Sequence, residues 1–467
     1  MSKPSFNLTD IALSYKNSKQ SFRKKKATAR AKRQRQASKA KIKRLEDRVE
    51  YWRNKHEEEK SKNKSALGGT KIKYHSYCST IITLALILYT ETSMSLRDIE
   101  TVIRIFIQQM QIESKCPDHS TFDYWIKKTG MKAIKPFSPG EPCVLIYDES
   151  ISFNGKKLFL VLAVPVSVSK QKRALRFEDC HLVYLGAKKG WSAEIIHKEL
   201  NPIVKKMNVQ YVLSDKGSNL LRDTALLGLA HVADITHEVA RTLKNLYSDT
   251  DGYKNFIKWI GELRKDLACG EYAHLAPPKI KHHCRFHQLG QYLKWIQKVV
   301  PELKKVAKEG SGAAMALLKI TDHKCFIKDL KSLTPVIKEI LSVGRTEGIN
   351  PATILKLTAK MTELEGDLPV KFGEKLSRYF NETYKTIGEN IPFCCSAIIE
   401  SVFGKYKSKM SSHPQKMCTN HLLTIPLFFV KENEIAELIS GFETVKVADI
   451  RDKEVMQKVM NGVQMAA

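Results

Sequence analysis

The chain has 467 residues and carries 78 Lys+Arg against 49 Asp+Glu, a formal net charge of +29 at pH 7. An excess of that size predicts a polyanionic partner, and 43% hydrophobic residues exclude global disorder. The longest apolar run, Ile81 to Tyr89, has nine residues, about half of the ~20 that a membrane-spanning helix needs, and reads as a buried helix. The first residues carry no apolar export signal, and the ten cysteines contain no CxxC, so reduced thiols in the cytoplasm are expected.

Residues 1–66 read as a basic helical or coiled-coil arm. The first 64 residues hold 21 Lys/Arg and 7 Asp/Glu, a net +14. No Pro or Gly interrupts Ser21 to Lys64, and Ile42, Leu45, Val49 and Trp52 follow the 3-4-3 spacing of one apolar helix seam. The seam is short, so a solvated charged helix fits it as well as a coiled coil. Arg23, Lys24, Lys25, Lys26, Arg33 and Arg35 can neutralise phosphates without reading sequence.

Past Gly68-Gly69, residues 70–134 predict three helices: Tyr74 to Thr90, Ser95 to Met110 and Ser120 to Lys128. Ser95 is an N-cap candidate, and Leu96, Ile99, Ile103, Phe106, Ile107 and Met110 mark one helical face. Cys116 to Thr121 breaks and recaps the chain in the manner of a helix-turn-helix. The third helix can bury Phe122, Trp125 and Ile126 while Ser120, Thr121, Tyr124, Lys127 and Lys128 face outward for DNA contacts. A helical bundle that only packs on its neighbour has the same pattern.

After the turn-rich Lys135 to Gly140 the periodicity changes, and residues 141–249 predict the first part of an α/β core. Cys143 to Tyr147 is an apolar strand ending in Asp148-Glu149-Ser150. Leu158 to Val168 is a second strand after the Asn154-Gly155 turn signal, and His181 to Leu185 a third. A helix, Ser192 to Met207, precedes the strand Val209 to Ser214, which ends at Asp215. The helix Asn219 to Leu229, the strand His231 to Ile235 and the helix Thr236 to Tyr247 follow. The order βββ-α-β-α-β-α is that of the ribonuclease H-like fold, whose adjacent central strands place two aspartates side by side. Such a pair repels itself, but hard divalent cations reward the clustering. Two Mg²⁺ ions, or Mn²⁺ in their place, can then serve in-line displacement at phosphorus. Residues 250–390 read as an all-α insertion, residues 391–430 as the second part of the core, and residues 431–467 as a C-terminal tail. Glu400 stands beside the apolar face formed by Ile399, Val402, Phe403 and Tyr406, with Lys407 two turns on. Spacing alone says little about it, since a Glu on an amphipathic helix is normally just solvated.

The strings VLIYDESISFNGKKLFLVLAV, YVLSDKGSNLL, HVADITHEVARTLKNLY and SAIIESVFGKYKSKM resemble, in order, the motif blocks of DDE transposases encoded by bacterial insertion sequences. The segment from MSLRDIETVIRIFIQQM to CPDHSTFDYWIKKTGM resembles the helix-turn-helix that precedes their catalytic core. The resemblance covers roughly residues 70–425. It implies that Asp148 and Asp215 are the two catalytic, metal-binding aspartates and Glu400 the glutamate that completes the triad. The separations are 67 and 185 residues, so the helical insertion falls between the second and third acids.

Asp234 and His237 lie just past the strand at His231; a supporting role at the site and a plain helix cap fit them equally. Glu149 should face away from Asp148. His282, His283, Cys284 and His287 crowd one stretch but lack the partners of a structural zinc site. Trp191 suits either base stacking or packing on the following helix.

The expectation is a DNA transposase in the bacterial cytoplasm, associated with the nucleoid. It would bind double-stranded DNA at terminal inverted repeats, cleave strands, and join 3′-hydroxyl ends to target DNA as a homodimer or larger assembly. A nuclease or resolvase without strand transfer, and an inactive DNA-binding derivative, are the alternatives.

Overall fold

The structure is a computed structural model that describes residues 42–55, most of 72–445, and 450 and 463–464. The largest omissions within 72–445 are 135–139, 304–307 and 410–419. Arg23, Lys24, Lys25, Lys26, Arg33 and Arg35 of the basic arm, Gly68-Gly69, Asn154-Gly155, His283 and Cys284 lie outside the described residues. The chain divides into two compact units, Met1–Leu67 with Leu267–His274, and Gly68–Asp266 with Leu275–Ala467.

Of the first unit, residues 42–55 form a helix, α1. Its seam is only partly covered: Leu45 and Trp52 are half-buried, whereas Ile42 and Val49 are exposed.

The second unit is an α/β assembly around one mixed sheet. Strands β1 (Cys143–Phe153), β2 (Lys156–Pro165), β3 (His181–Lys188), β4 (Val209–Ser214) and β5 (His231–Ala233) lie in the order β5-β4-β1-β2-β3, and a two-residue edge strand, β6 (Val463–Gln464), follows β3. Pairing is antiparallel for β1/β2 and β2/β3 and parallel for β1/β4 and β4/β5. Cys143 to Tyr147 and Leu158 to Val164 are buried throughout, as expected of central strands covered on both faces. Because side chains alternate, Cys143, Leu145 and Tyr147 point to one face. There they pack with Ile196, Leu200 and Ile203 of helix α5 (Ala193–Val204) and Leu220 of helix α6 (Ser218–Leu226). Asp148 belongs to the other face. Trp191 is buried in the first layer, its ring centroid 5.0 Å from that of Phe159, and its Nε1 donates to the Lys157 carbonyl at 2.9 Å. It is a packing residue and has no face open for a base.

Residues 79–132 form helices α2 (Ser79–Glu91), α3 (Leu96–Gln109) and α4 (His119–Lys132). Ser95 caps α3 in a reciprocal box with Asp98, and Ile99, Ile103 and Ile107 form its buried stripe. In α4 the expected outward face needs correction. Ser120 is exposed and Thr121 and Tyr124 are half-buried, but Lys127 and Lys128 are only 8% and 6% exposed. Lys127 Nζ pairs with Asp123 at 2.5 Å, and Lys128 Nζ lies 3.4 Å from His75 Nε2 and 5.9 Å from the centroid of the Phe442 ring. The cause is tertiary: turns at Asn420–Thr424 and Pro426–Phe429 pack along the second half of α4. A Cβ on Gly130 would lie 1.6 Å from the Leu423 carbonyl oxygen.

Between β5 and the Glu400 segment the described residues are almost wholly helical. They include α7 (Ile235–Tyr247), α8 (Asp251–Leu267), α9 (Leu289–Val299), α10 (Gly312–Leu318), α11 (Lys324–Thr346), α12 (Pro351–Met361) and α13 (Asp367–Ile387). Helix α14 (Ala397–Lys409) follows and packs on β1, burying Ile398, Ile399, Val402, Phe403 and Tyr406. At its far end the Lys409 ammonium donates to the carbonyls of Tyr89 and Thr92 at the C-terminus of α2, where cations are favoured. Helix α15 (Glu432–Ser440) packs on α2 and α4. Among the described residues no helix is long and apolar enough to cross a membrane.

Candidate active site

The parallel register pairs Ile146 of β1 with Leu213 of β4. Two residues further along both strands stand Asp148 and Asp215, so strand pairing alone sets them side by side. Asp215 is half-buried, and its Oδ1 accepts from the Gly217 N–H at 3.0 Å, turning the chain into α6. Burial, and then the neighbouring charge of Asp215, push the Asp148 carboxyl up to about 7; Glu400 adds a smaller push in the same direction. Among the described residues no lysine or arginine pairs with Asp148 or Asp215. Lys216, next in sequence, is engaged instead with Glu238, Nζ to Oε2 at 3.0 Å, and Arg241 holds the same carboxylate at 2.7 and 2.9 Å.

Glu400 sits in the first turn of α14, and its side chain is 60% exposed. Its Oε1 lies 3.6 Å from Nε2 of His237 in α7. This pairing holds the Glu400 carboxyl below its usual range and raises the imidazole to about 9, so His237 carries a proton near neutral pH. The structure therefore brings Asp148, Asp215, Glu400 and His237 to one end of the sheet, from four separate segments. Lys407 is exposed further along α14.

Asp234 resolves the two expectations for it by meeting both. Its Oδ1 caps α7 by accepting from the His237 N–H at 2.8 Å, while Oδ2 accepts from the N–H and, at 2.7 Å, the hydroxyl of Ser396, just before α14. Asp234 is 1% exposed. Two further bonds lock the same joint: the Ile235 N–H donates to the Cys394 carbonyl at 2.8 Å, and the Tyr211 hydroxyl bridges the N–H and carbonyl of Phe393 at 2.9 and 2.7 Å.

Two residues at this site escaped sequence reasoning. The His287 ring packs edge-on against His237 with centroids 5.1 Å apart, and both His287 and Arg345 of α11 lower the Glu400 carboxyl. The histidine crowding at 282–287 was the available signal for the first; Arg345 carried none. Glu149 pairs with Lys157 at 3.2 Å, a neighbour of the acids, as expected.

The donor set suits a hard divalent cation, since Asp148 and Asp215 offer oxygen ligands and repel each other, and the nearby His237 lowers the Asp148 carboxyl less than Asp215 raises it. The acids are not drawn tight, however. Among the described residues, the group of three whose ligand atoms lie within 4.8 Å of one another is Glu100, Asp118 and His119. That group is a partly exposed helix start: Asp118 caps α4 through the Ser120 N–H at 2.8 Å, and Glu100 accepts from the His119 N–H at 3.3 Å.

Comparison with protein-family models and with curated proteins finds no match.

Proposed function

We propose that this chain is a DNA transposase of the DDE type, with a ribonuclease H-like core in which Asp148, Asp215 and Glu400 form the triad. The observation that carries the proposal is the β1/β4 register, which sets Asp148 beside Asp215 while α14 brings Glu400 to the same end of the sheet. The strand order and the helical stretch between β5 and α14 are consistent with such a core interrupted by an insertion.

In this reading Asp148 and Asp215 hold divalent metal, with Mg²⁺ as the natural ion and Mn²⁺ as a substitute. The metal supplies charge stabilisation at phosphorus and activation of water or a 3′-hydroxyl. Glu400 completes the ligand set, and His237 keeps it ionised and oriented. Asp234, through Ser396, fixes where α14 starts and so where Glu400 stands. The partners are double-stranded DNA, as element ends and as target, with a homodimer or larger assembly bringing two ends together. The basic arm and the exposed start of α4 remain the proposed contacts to DNA outside the acids.

The test is a strand-transfer assay. Full-length protein, Mg²⁺, a plasmid and a duplex bearing the inverted repeat found in DNA flanking the gene, with a free 3′-hydroxyl, should give a joined product. Hydrolysis without joining would leave a nuclease, and the absence of both reactions would remove the proposal.

A further inference from the structure

A cavity of about 640 Å³ opens beside Glu149, on the face of the sheet opposite Asp148. Its lining includes Glu149, Lys157, Lys188, Lys189, Ser192 and Asn219. Three lysines thus meet two carboxylates, Glu149 of the lining and Glu199, which pairs with Lys188. The lysines come from β2, the end of β3 and the residue after it, while Ser192 is the N-cap of α5 and Asn219 lies in the first turn of α6. The floor is rigid: Trp191 is fixed by its bond to the Lys157 carbonyl, and the Lys188 ammonium sits 5.2 Å from the centroid of its ring and 2.5 Å from Glu199. Lys157 is held by Glu149 with its side chain 49% exposed, and Lys189 is exposed. The Lys157 and Lys188 ammonium groups are held by carboxylates, and those of Lys157 and Lys189 are open to an incoming anion.

We infer that this pocket holds a backbone phosphate of the DNA whose neighbouring phosphodiester is presented to Asp148 and Asp215. The inference takes the identity of the anion from the proposed nuclease chemistry, on which it rests. Asp148 and Glu149 are consecutive residues of one strand, about 3.8 Å apart at Cα and pointing to opposite faces. A nucleic acid backbone crossing β1 where its pairing with β4 ends, just past Ile146 and Leu213, meets the acids on one side and the lysines on the other. Lysine ammonium groups and the N-terminus of a twelve-residue helix recognise phosphate without reading bases, which suits a grip that must accept any flanking or target sequence. The positive pocket also offsets the repulsion between DNA and the acidic cluster.

The experiment measures the affinity of full-length protein for a fluorescein-labelled duplex of arbitrary sequence over a range of salt, with Mg²⁺ present and in an Asp148→Asn background so that nothing is cut. The variants are Lys189→Gln, Lys157→Gln and their combination. Because the two lysines hold one phosphate, its loss should lower the slope of log affinity against log salt by about 0.9 in the double variant, and by no more than that in either single variant. A slope and affinity unchanged in the double variant, with an unchanged melting temperature, would overturn the pocket. In the Asp148 background, cleavage by the corresponding wild-type chain is scored separately. A chain that cuts DNA but shows no slope change loses the pocket alone, whereas a slope change in a chain that never cuts keeps the pocket and removes the nuclease reading.

Discussion

Asp234 accepts two hydrogen bonds from Ser396, 162 residues further along the chain. One carboxylate thereby ties the start of α7, which carries His237, to the start of α14, which carries Glu400. Asp234→Ala would leave the buried Ser396 N–H without an acceptor and remove the α7 cap, costing about 3 kcal/mol. Ser396→Ala, which keeps the N–H bond, should cost only about 1 kcal/mol. Urea unfolding measures both. At temperatures where the Asp234 variant is folded, the turnover number for cleavage should fall at least about tenfold with KM for DNA unchanged. A turnover number equal to that of the wild type in the folded variant would show that Asp234 only stabilises.

Metal addition provides a second check. With Mg²⁺ at about 100 times its dissociation constant, a site present only in the folded state stabilises by about 2.7 kcal/mol. The melting temperature of the wild-type chain should therefore rise with Mg²⁺, and that of Asp148→Asn should rise much less. The same substitution should lower cleavage by at least about a hundredfold while leaving DNA binding in place.

Gly130 faces the backbone of Leu423, where a Cβ would stand 1.6 Å from the carbonyl oxygen and 2.7 Å from its carbon. Neither helix α4 nor the turn can yield by that much without separating. Gly130→Ala should destabilise by about 3 kcal/mol or more, despite the better helix propensity of alanine. A thermal melt that matched the wild type would contradict the contact.

Asp223 is fully buried, accepts from the Tyr147 hydroxyl at 3.1 Å, and has an unpartnered Oδ1. Burial raises its carboxyl to about 7. A folded-state value above the unfolded one, near 3.9, means that the folded chain binds the proton more tightly. Its contribution is fully present below about pH 4 and is lost as the pH rises through about 7. Asp223→Asn, which keeps a neutral group there, should be the more stable form at pH 8, by up to about 4 kcal/mol. The advantage should vanish by pH 4, as followed by denaturant midpoints across the range.

Much of the sheet was legible because its signal is local. Cys143 to Tyr147, Leu158 to Val164 and Val209 to Ser214 are short apolar runs bounded by turns or acids, and the carboxylates at their ends follow from reading where each run stops. The Asp148/Asp215 pair needs only the further step that β1 and β4 are parallel neighbours. Helix α4 shows the opposite case. Its amphipathic pattern assigned Phe122, Trp125 and Ile126 to the interior correctly, but Lys127 and Lys128 are covered by residues some 300 positions away, whose approach no local pattern announces. Arg345 is likewise brought near Glu400 by the fold of the helical stretch. Asp234 was ambiguous for a related reason: a helix cap is a local feature, whereas its grip on Ser396 is long-range.

The bond between Lys409 and the carbonyls of Tyr89 and Thr92 gives α14 a mechanical character. Glu400 and Lys409 are separated by nine residues of continuous helix, a strut of about 14 Å. One end is pinned through Ser396 to Asp234, and the other is clasped to the tip of α2. A stiff rod anchored at both ends cannot shift at one without being strained at the other. The stance of the helices at residues 79–132 and the seat of the Glu400 carboxylate are thus coupled by geometry, so that a load applied to the former is borne by the latter.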